Sequence, residues 1–313
     1  MRIVVTGGGG FVGAHLAREL SGRGDEVTCL DVVRSTPLLE DVDRVELRRC
    51  DIGWWPELLA AIEDIEPEIV FHTAGILSAA AEERPHAAYR VNVTGTLNVL
   101  EAARLRGGRV VLTSTIATYG PGVPDLVDES TQQRPTTMYG VSKVFGELLG
   151  EYYLHRFGVD FRAIRLPSVI GAGRGPGGAS AYSSLIVSEP ARGRPFVVPL
   201  ERGATIPLVY VKDAVSALIG VAEAGEDELR RRTYGIAGFS PSAGELAAAV
   251  SEAVPEADIS FEPDPAMVAI VDSWPERMGG GEAGSDWGWK ESYGLTEAVV
   301  DFVAEVRAHP GWP

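Results

Sequence analysis

A tyrosine and a lysine four residues apart, Tyr139 and Lys143, are the side chains in this sequence best suited to acid–base chemistry. Residues with this spacing lie on one face of a helix. An ammonium beside a phenol stabilises the phenolate, so the pair predicts a lowered tyrosine pKa and proton exchange with an alcohol near neutral pH. Such proton exchange accompanies hydride transfer. The same spacing also arises by chance on solvated helices, so the pair needs support from its surroundings.

Two hydroxyls provide part of that support. Ser114 and Thr115 follow the apolar run Val110 to Leu112, which predicts a buried strand ending in hydroxyl groups. Hydroxyls at strand ends are commonly structural, but either of these could donate a hydrogen bond to a reacting oxygen. The conjunction with Tyr139 and Lys143 makes both of them candidate substrate contacts.

A glycine-spaced turn follows the first predicted strand. Gly7, Gly10 and Gly13 connect the β-branched run at residues 3–5 to a helix that begins near Phe11. Glycines in this position permit a tight turn and let backbone N–H groups approach a pyrophosphate, which the helix N-terminus also favours. The sequence therefore predicts a dinucleotide site with a strand, a turn and a helix in the required order.

An acidic residue, Asp31, follows the second predicted strand about where a carboxylate accepts both adenosine ribose hydroxyls. The same carboxylate would repel a 2′-phosphate, so NAD is favoured over NADP, although Arg34 lies nearby. Asp51 and Ile52 follow the third strand, where they could meet the adenine ring; Asp51 could equally be a helix N-cap.

The fourth predicted strand ends in His72, Thr73, Ala74 and Gly75, whose small residues would let the backbone contact the cofactor. A histidine at a strand end is either a satisfied structural residue or a catalytic one, and the structural interpretation is preferred for His72.

Buried apolar strands alternate with amphipathic helices over the first half of the chain. The strand-like runs are residues 3–5, 27–30, 45–47, 69–71, 110–112 and 160–165, and the helical runs are residues 55–65, 87–105 and 139–156. This alternation predicts an α/β fold with a doubly wound parallel sheet, a Rossmann fold. We expect an NAD-binding domain at residues 1–166 with a return segment at about 205–224, and a smaller substrate-binding lobe in most of 167–313.

Composition narrows the classes of partner. The 313 residues carry a formal net charge of −16, which disfavours binding to nucleic acid and to anionic membranes. Two cysteines are too few for a disulfide framework, and no signal-like segment opens the sequence, so we expect a cytoplasmic protein. We expect no bound metal.

In combination, these motifs resemble those of the extended short-chain dehydrogenase/reductase superfamily, which is also called the NAD-dependent epimerase/dehydratase family. The resemblance covers nearly the whole chain. It implies that Tyr139 is the catalytic base, that Lys143 binds the ribose and modifies the tyrosine pKa, and that Thr115 positions the substrate. The cofactor contacts that it implies, with those argued above, are Gly7, Gly10, Phe11, Val12, Gly13, Asp31, Asp51, Ile52, Thr73, Ala74, Gly75, Asn92, Tyr139, Lys143 and Leu166.

Three stretches are similar to the short-chain L-threonine 3-dehydrogenases within that superfamily. They are residues 76–82 together with Asn92, the Pro-Gly-Gly at 176–178, and the tryptophan-rich segments 272–275 and 286–290. Those enzymes usually follow Pro-Gly-Gly with glycine, two threonines and an aspartate, whereas this chain has Ala-Ser-Ala-Tyr-Ser at 179–183. The missing carboxylate puts recognition of an amino acid's ammonium in doubt.

The segments 179–193 and 262–275 instead resemble the D-erythronate dehydrogenases, which act on a sugar acid. The candidate substrate contacts are Leu77, Ser78, Ser114, Thr115, Ser180, Tyr182 and Trp274.

The leading hypothesis is an NAD-dependent dehydrogenase that oxidises a secondary alcohol of a small polar substrate. The alternative is a nucleotide-sugar 4-epimerase or dehydratase, which would use the same residues but return the hydride to the sugar. Such an enzyme needs a second lobe that binds the nucleotide diphosphate. The cationic residues available for that role are Arg174, Arg192, Arg194 and Arg202. A third hypothesis is a nucleotide-sensing or scaffold protein that has this fold but no catalytic activity.

The predicted helices at 87–105 and 139–156 have apolar residues outside the single face that would pack on the sheet, including Val144, Leu148, Leu149 and Tyr152. They predict a homodimer that pairs through the helix of Tyr139 and Lys143, although such residues also pack on a sheet.

Overall fold

The computed structural model describes residues 1–313, the side chain of residue 179 excepted. Its strands are β1 (Arg2–Thr6), β2 (Glu26–Asp31), β3 (Val45–Arg49), β4 (Ile69–His72), β5 (Arg109–Thr115), β6 (Leu126–Val127), β7 (Phe161–Leu166), β8 (Ser168–Ile170), β9 (Phe196–Val198), β10 (Leu208–Tyr210), β11 (Thr233–Gly235), β12 (Ile259–Phe261) and β13 (Arg277–Met278).

The helices lie between and after these strands. They are α1 (Phe11–Gly22), α2 (Trp55–Ile65), α3 (Ser78–Glu83), α4 (Pro85–Ala88), α5 (Gly95–Arg106), α6 (Met138–Phe157), α7 (Tyr182–Ala191), α8 (Val211–Glu223), α9 (Ala243–Ala253), α10 (Pro265–Val271), α11 (Gly281–Trp287) and α12 (Leu295–Ala308), with a π-helical turn at Tyr89–Thr94.

Seven parallel strands form the central sheet, in the order β11-β7-β5-β4-β1-β2-β3. The order reverses between β1 and β4, and at such a point the carboxyl ends of the strands open a crevice for ligands. The prediction of a doubly wound parallel sheet is confirmed.

Alternating residues of the strands supply two separate cores. Ile3 and Val5 of β1 pack with α1 and α8 on one face, whereas Val4 packs with α2 and α5 on the other. This division follows from the two-residue period of a strand, and burial on both faces explains why the strands read as continuous apolar runs.

The return to the first domain extends beyond the expected segment. Helix α8 packs against α1 and β7, and β11 then pairs in parallel with β7 at the edge of the sheet, with Thr233 beside Ala163. Strand β11 has only three residues and follows an arginine-rich turn, so its apolar run is too short to be predicted from the sequence.

Helix α6 is fixed at both ends by local chemistry. The Thr137 hydroxyl accepts a hydrogen bond from the Gly140 N–H at 3.1 Å, and Gly158 ends the helix in the left-handed conformation. Because α6 runs along the sheet, every fourth residue from Tyr139 through Lys143 to Glu147 is buried on the same face.

In the described part of the chain, no helix combines the length and apolarity needed to cross a membrane.

Candidate active site

A cavity of about 790 Å³ lies along the carboxyl ends of the central strands, where the strand order reverses. The turn after β1, the ends of β2, β4, β5 and β7, and the first turns of α6 form one side of it. The loop between β8 and α7, together with Trp274, forms the other side. Residues distant in sequence therefore meet around one elongated space.

The glycine turn after β1 is packed too closely for larger residues. Gly7 has a φ of +71°, and a Cβ there would lie 2.6 Å from the Ala74 Cα. A Cβ at Gly13 would lie 2.3 Å from the Gly7 carbonyl oxygen, so α1 can approach β1 only with glycine here. The cavity is lined at this end by Gly7, Gly10, Phe11, Val12 and Gly13. The turn thus offers backbone N–H groups and a helix N-terminus to an anion, which fits a dinucleotide pyrophosphate.

The Asp31 carboxylate stands at the end of β2 and accepts hydrogen bonds from the N–H groups of Gly9, at 2.9 Å, and Val33, at 3.2 Å. These bonds fix the carboxylate at the cavity wall, where it fits a pair of ribose hydroxyls. Arg34 does not belong to the cavity wall as described.

Asp51 and Ile52 also line the cavity, but Asp51 is already engaged. It accepts bonds from the Gly53 N–H and from Arg90, whose guanidinium lies 2.6 Å away. Thr73, Ala74, Gly75 and Leu166 complete this wall.

The structure places Tyr139, Lys143 and Thr115 at the same end of the cavity. Lys143 Nζ donates a hydrogen bond to the Thr113 carbonyl oxygen at 2.7 Å and lies 5.8 Å from the centre of the Tyr139 ring. Thr115 is the last residue of β5, and its hydroxyl lies beside the Tyr139 phenol, whose pKa it acts to lower. A phenol, a hydroxyl and an ammonium thus converge where a reacting alcohol could bind.

The pKa of Tyr139 differs from the expectation. Burial raises the pKa of the phenol to about 12, while the Thr115 hydrogen bond and the charge of Arg174 act in the lowering direction. Burial also lowers the pKa of Lys143 to about 8, against the opposing effect of Glu147. The predicted lowering of the tyrosine pKa is therefore wrong for the protein alone, because removal from water outweighs the effects of Thr115 and Arg174.

Arg174 is the second charged group beside Tyr139, and the sequence suggested it only as a candidate cation for a diphosphate. Its guanidinium donates to the hydroxyls of Ser168, at 3.2 Å, and Ser180, at 2.6 Å, and to the Val169 carbonyl. The one sequence signal for it is an arginine within the glycine-rich loop of residues 171–178.

The expected substrate contacts divide into two groups. Leu77, Ser78, Ser180 and Trp274 line the cavity beside Thr115. Tyr182 does not: it is buried in the core on α7, away from the cavity wall. Ser114 forms part of the wall, but its hydroxyl donates to Glu147 and is not directed to a ligand. The expectation for the side chains of Ser114 and Tyr182 is therefore corrected.

Asn92 also has a different place from the expected one. Its side-chain amide accepts from the Ile76 N–H at 2.8 Å and donates to the Ile76 carbonyl and to Ser142, and it is outside the cavity wall. Asn92 thus ties the loop after β4 to α6.

His72 is a structural residue. Its ring nitrogens bond to the hydroxyls of Thr6, at 2.7 Å, and Thr96, at 2.9 Å, and burial lowers its pKa to about 3. The preferred interpretation of a satisfied histidine at the strand end agrees with this geometry.

The chain belongs to the NAD-dependent epimerase/dehydratase family, whose model matches residues 3–237. It is 37% identical over 309 residues to the mitochondrial L-threonine 3-dehydrogenase of Bos taurus, a match covering 96% of this chain and 82% of that protein. Among solved structures it is similar to the holo form of a GalE-like L-threonine dehydrogenase from Cupriavidus necator, with a TM-score of 0.91, 35% identity and coverage of 98% and 100%. A monomeric L-threonine 3-dehydrogenase from a metagenome gives a TM-score of 0.90 at 29% identity, covering 98% and 99%.

These similarities confirm the predicted family and NAD as the cofactor. They also confirm the prediction of an NAD-dependent dehydrogenase that acts on a CH–OH group. The glycine turn and the carboxylate of Asp31 fit that cofactor on geometry as well.

Proposed function

We propose that this protein oxidises the secondary alcohol of a small polar acid, L-threonine-like or sugar-acid-like, to a ketone with net formation of NADH. Residues 1–166 serve as the NAD-binding domain and most of 167–313 as the substrate-binding lobe. The convergence of Tyr139, Thr115 and Lys143 in the cavity that contains the glycine turn carries this proposal.

Each group has a task that follows from its chemistry. Thr115 holds the substrate oxygen, and Tyr139 takes the proton of the alcohol as the carbinol carbon loses its hydride. Lys143 binds ribose hydroxyls and contributes positive charge near the phenol. Bound NAD supplies the hydride acceptor, and its oxidised ring carries a positive charge that favours the phenolate.

Net NADH release tests the proposal. The wild-type protein should accumulate NADH with at least one of L-threonine, a 2,3-dihydroxybutanoate, a tetronic acid or a hexuronic acid. UDP-sugars serve as the comparison, because a 4-epimerase interconverts them without releasing NADH. Epimerisation of a UDP-sugar with no NADH from any acid would overturn the proposal in favour of the epimerase.

Asp31 should determine the choice of cofactor. Asp31→Ser removes the carboxylate that receives the ribose hydroxyls and repels a 2′-phosphate. We expect kcat/KM with NAD to fall by about ten- to a hundredfold, as for the loss of hydrogen bonds to a charged group, and kcat/KM with NADP to rise. Asp227→Ser, which removes an exposed carboxylate in the turn after α8, is the control. An unchanged ratio between the two cofactors in Asp31→Ser would contradict this role.

The protein is proposed to form a homodimer through α5 and α6. Leu97 of α5 and Val141, Phe145, Leu148 and Tyr152 of α6 are exposed, and the four on α6 share one face. A second copy related by a twofold axis would place the two pairs of helices together and cover these side chains. The homodimer is proposed although one similar protein is described as monomeric.

Light scattering at micromolar concentration should therefore give twice the 33.4 kDa mass of the chain. Leu148→Glu should shift the protein to the monomer, because a carboxylate would be buried in the interface. Val300→Glu, which adds the same charge at an exposed valine of α12, should leave the dimer intact. A wild-type monomer would exclude this proposal.

We also propose a cytoplasmic location, since both cysteines are free thiols, as a reducing compartment requires. Recovery of the native protein in an organelle or a secreted fraction would contradict it.

A further inference from the structure

The charge distribution in the cavity is uneven. Asp31 and Asp51 are the acidic residues among those that line it, and both belong to the adenosine end. The cationic residues of the wall are Arg84, Arg90, Lys143 and Arg174, and of these Lys143 and Arg174 act next to Tyr139. A ligand at this end therefore meets positive charge, and its ammonium group would have no carboxylate partner in the described wall.

Arg174 has unused donors. A guanidinium carries five N–H groups, and three hydrogen bonds, to Ser168, Val169 and Ser180, are formed with the described residues. The Nε–H and one Nη2–H remain, on the edge of the guanidinium that binds carboxylates in the bidentate manner. Ser168, Ser180 and the Val169 carbonyl meanwhile hold the group in one orientation.

The charge of Arg174 is also uncompensated. Burial lowers the pKa of Arg174 to about 10, and Tyr139 acts in the opposite direction. Among the described residues, no carboxylate forms an ion pair with Arg174. A partly buried arginine without an anion is costly, and a bound carboxylate would supply the missing partner. Arg174 and Tyr139 line the same cavity, and the charge of Arg174 acts on the phenol, so one short molecule can reach both.

We infer that Arg174 binds the carboxylate of the substrate and that the substrate is a short hydroxy acid without an ammonium group. This inference rests on the proposed function, because the alcohol of the same acid must reach Tyr139. The hydroxyls of Ser180 and Ser78 are neutral and suit the remaining hydroxyl groups of such an acid.

Three matched compounds separate the contributions. L-Threonine and the 2,3-dihydroxybutanoate of the same configuration differ only in an ammonium replaced by a hydroxyl, and the amide of the dihydroxy acid lacks the carboxylate. We expect kcat/KM for the dihydroxy acid to exceed that for L-threonine and for the amide by at least about tenfold. A value for L-threonine equal to or above that of the dihydroxy acid would overturn the inference about the substrate.

Variants of Arg174 test the residue. Arg174→Gln should raise KM for the dihydroxy acid by about ten- to a hundredfold and leave KM for the amide nearly unchanged. Arg174→Lys should restore part of the loss, because it keeps the charge but not the bidentate edge. Arg194→Gln, at an exposed arginine of the same lobe paired with Glu189, is the control. Equal effects of Arg174→Gln on the acid and the amide would indicate a structural role and overturn the assignment.

The pH profile provides a second readout. Lys143 from α6, 5.8 Å from the ring centre, and Arg174 from the loop after β8 are the charged groups beside the Tyr139 phenol. The elements packed against it also carry Glu82 of α3, which accepts from the Met138 N–H, and Arg84, which lines the cavity. Because oxidation requires the deprotonated phenol, its rate should rise with pH. Loss of the Arg174 charge should move that rise to higher pH with the amide as well as the acid. An unshifted profile would contradict an effect of the Arg174 charge on the phenol.

A binding measurement distinguishes failure of this inference from failure of the proposed function. In Tyr139→Phe with NAD present, calorimetry should detect binding of the dihydroxybutanoate, and adding Arg174→Gln should abolish it. Binding that depends on Arg174 without any turnover by the wild type would refute the proposed reaction alone. Turnover of the acid without dependence on Arg174 would refute the inference alone.

Discussion

Tyr139→Phe is expected to lower kcat by about 10²- to 10⁴-fold while the dissociation constant for NAD stays close to the wild-type value. The phenol is the group placed to take the alcohol proton, and phenylalanine keeps the ring that packs with Ala81 and Ala88. Single-turnover formation of NADH, with NAD binding measured by calorimetry, separates the chemical step from cofactor affinity.

Tyr152→Phe, which removes a hydroxyl from the exposed side of the same helix, is the matched control and should keep full activity. If Tyr139→Phe retains activity within about threefold of the wild type, far less than the 10²- to 10⁴-fold loss expected for a missing acid–base group, Tyr139 is not the proton acceptor.

Breaking the ion pair beneath this site should destabilise the whole protein. Arg165 Nη2 lies 2.7 Å from Glu147 Oε2, and the two side chains are only 8% and 4% exposed. Gln133 and Ser114 also donate to Glu147, and Arg165 donates to the Tyr119 hydroxyl. Glu147→Leu leaves the arginine charge buried without a partner, so we expect the free energy of unfolding to fall by about 3–5 kcal/mol. Denaturant unfolding with linear extrapolation measures it.

The double variant Glu147→Leu with Arg165→Met is the informative comparison. Removing both charges together should be less destabilising than removing either one, because no unpaired charge remains. Additive losses would show that the two side chains do not act as a pair. Arg194→Gln, which breaks a surface pair with Glu189, should change stability by no more than about 1 kcal/mol.

The position of this pair explains why it matters for the chemistry. Glu147 lies one helical turn beyond Lys143, and its charge opposes the effect of burial on the lysine pKa. The buried carboxylate therefore helps to keep Lys143 protonated near neutral pH.

The sequence alone predicted what local spacing determines. The helix that carries Tyr139 and Lys143 is predicted by the spacing of its apolar residues and by the residues that cap it. The glycine turn is predicted by glycines at positions where any larger residue would clash with the backbone. Parallel pairing then brings the ends of β1, β4 and β5 to one edge, so the sequence alone predicts most of the candidate cofactor contacts.

Side-chain direction could not be predicted in the same way. Ser114 and Thr115 are adjacent on β5, so their hydroxyls point to opposite faces, and only Glu147 on α6 shows which of the two is internal. The side-chain amide of Asn92 could form the same hydrogen bonds with a ligand or with the backbone of Ile76. The tertiary path of the loop after β4 determines that it bonds to Ile76. Arg174 lies in an irregular loop, where no periodicity reports its orientation.

The acidic surface and the cationic site are compatible. A net charge of −16 is distributed over the whole molecule, whereas Lys143 and Arg174 act within the cavity at short range. Local charge and backbone N–H groups therefore determine which ligand is held, and the global charge mainly keeps the protein in solution.

Transfer of deuterium tests the central claim most directly. The wild-type protein would be incubated with NAD and 2,3-dihydroxybutanoate deuterated at the carbon of the 3-hydroxyl, with L-threonine labelled at the same carbon in parallel. Mass spectrometry should find the deuterium in NADH, in an amount equal to the ketone formed, and faster with the dihydroxy acid than with L-threonine. Failure to form labelled NADH or ketone from either compound would contradict the account.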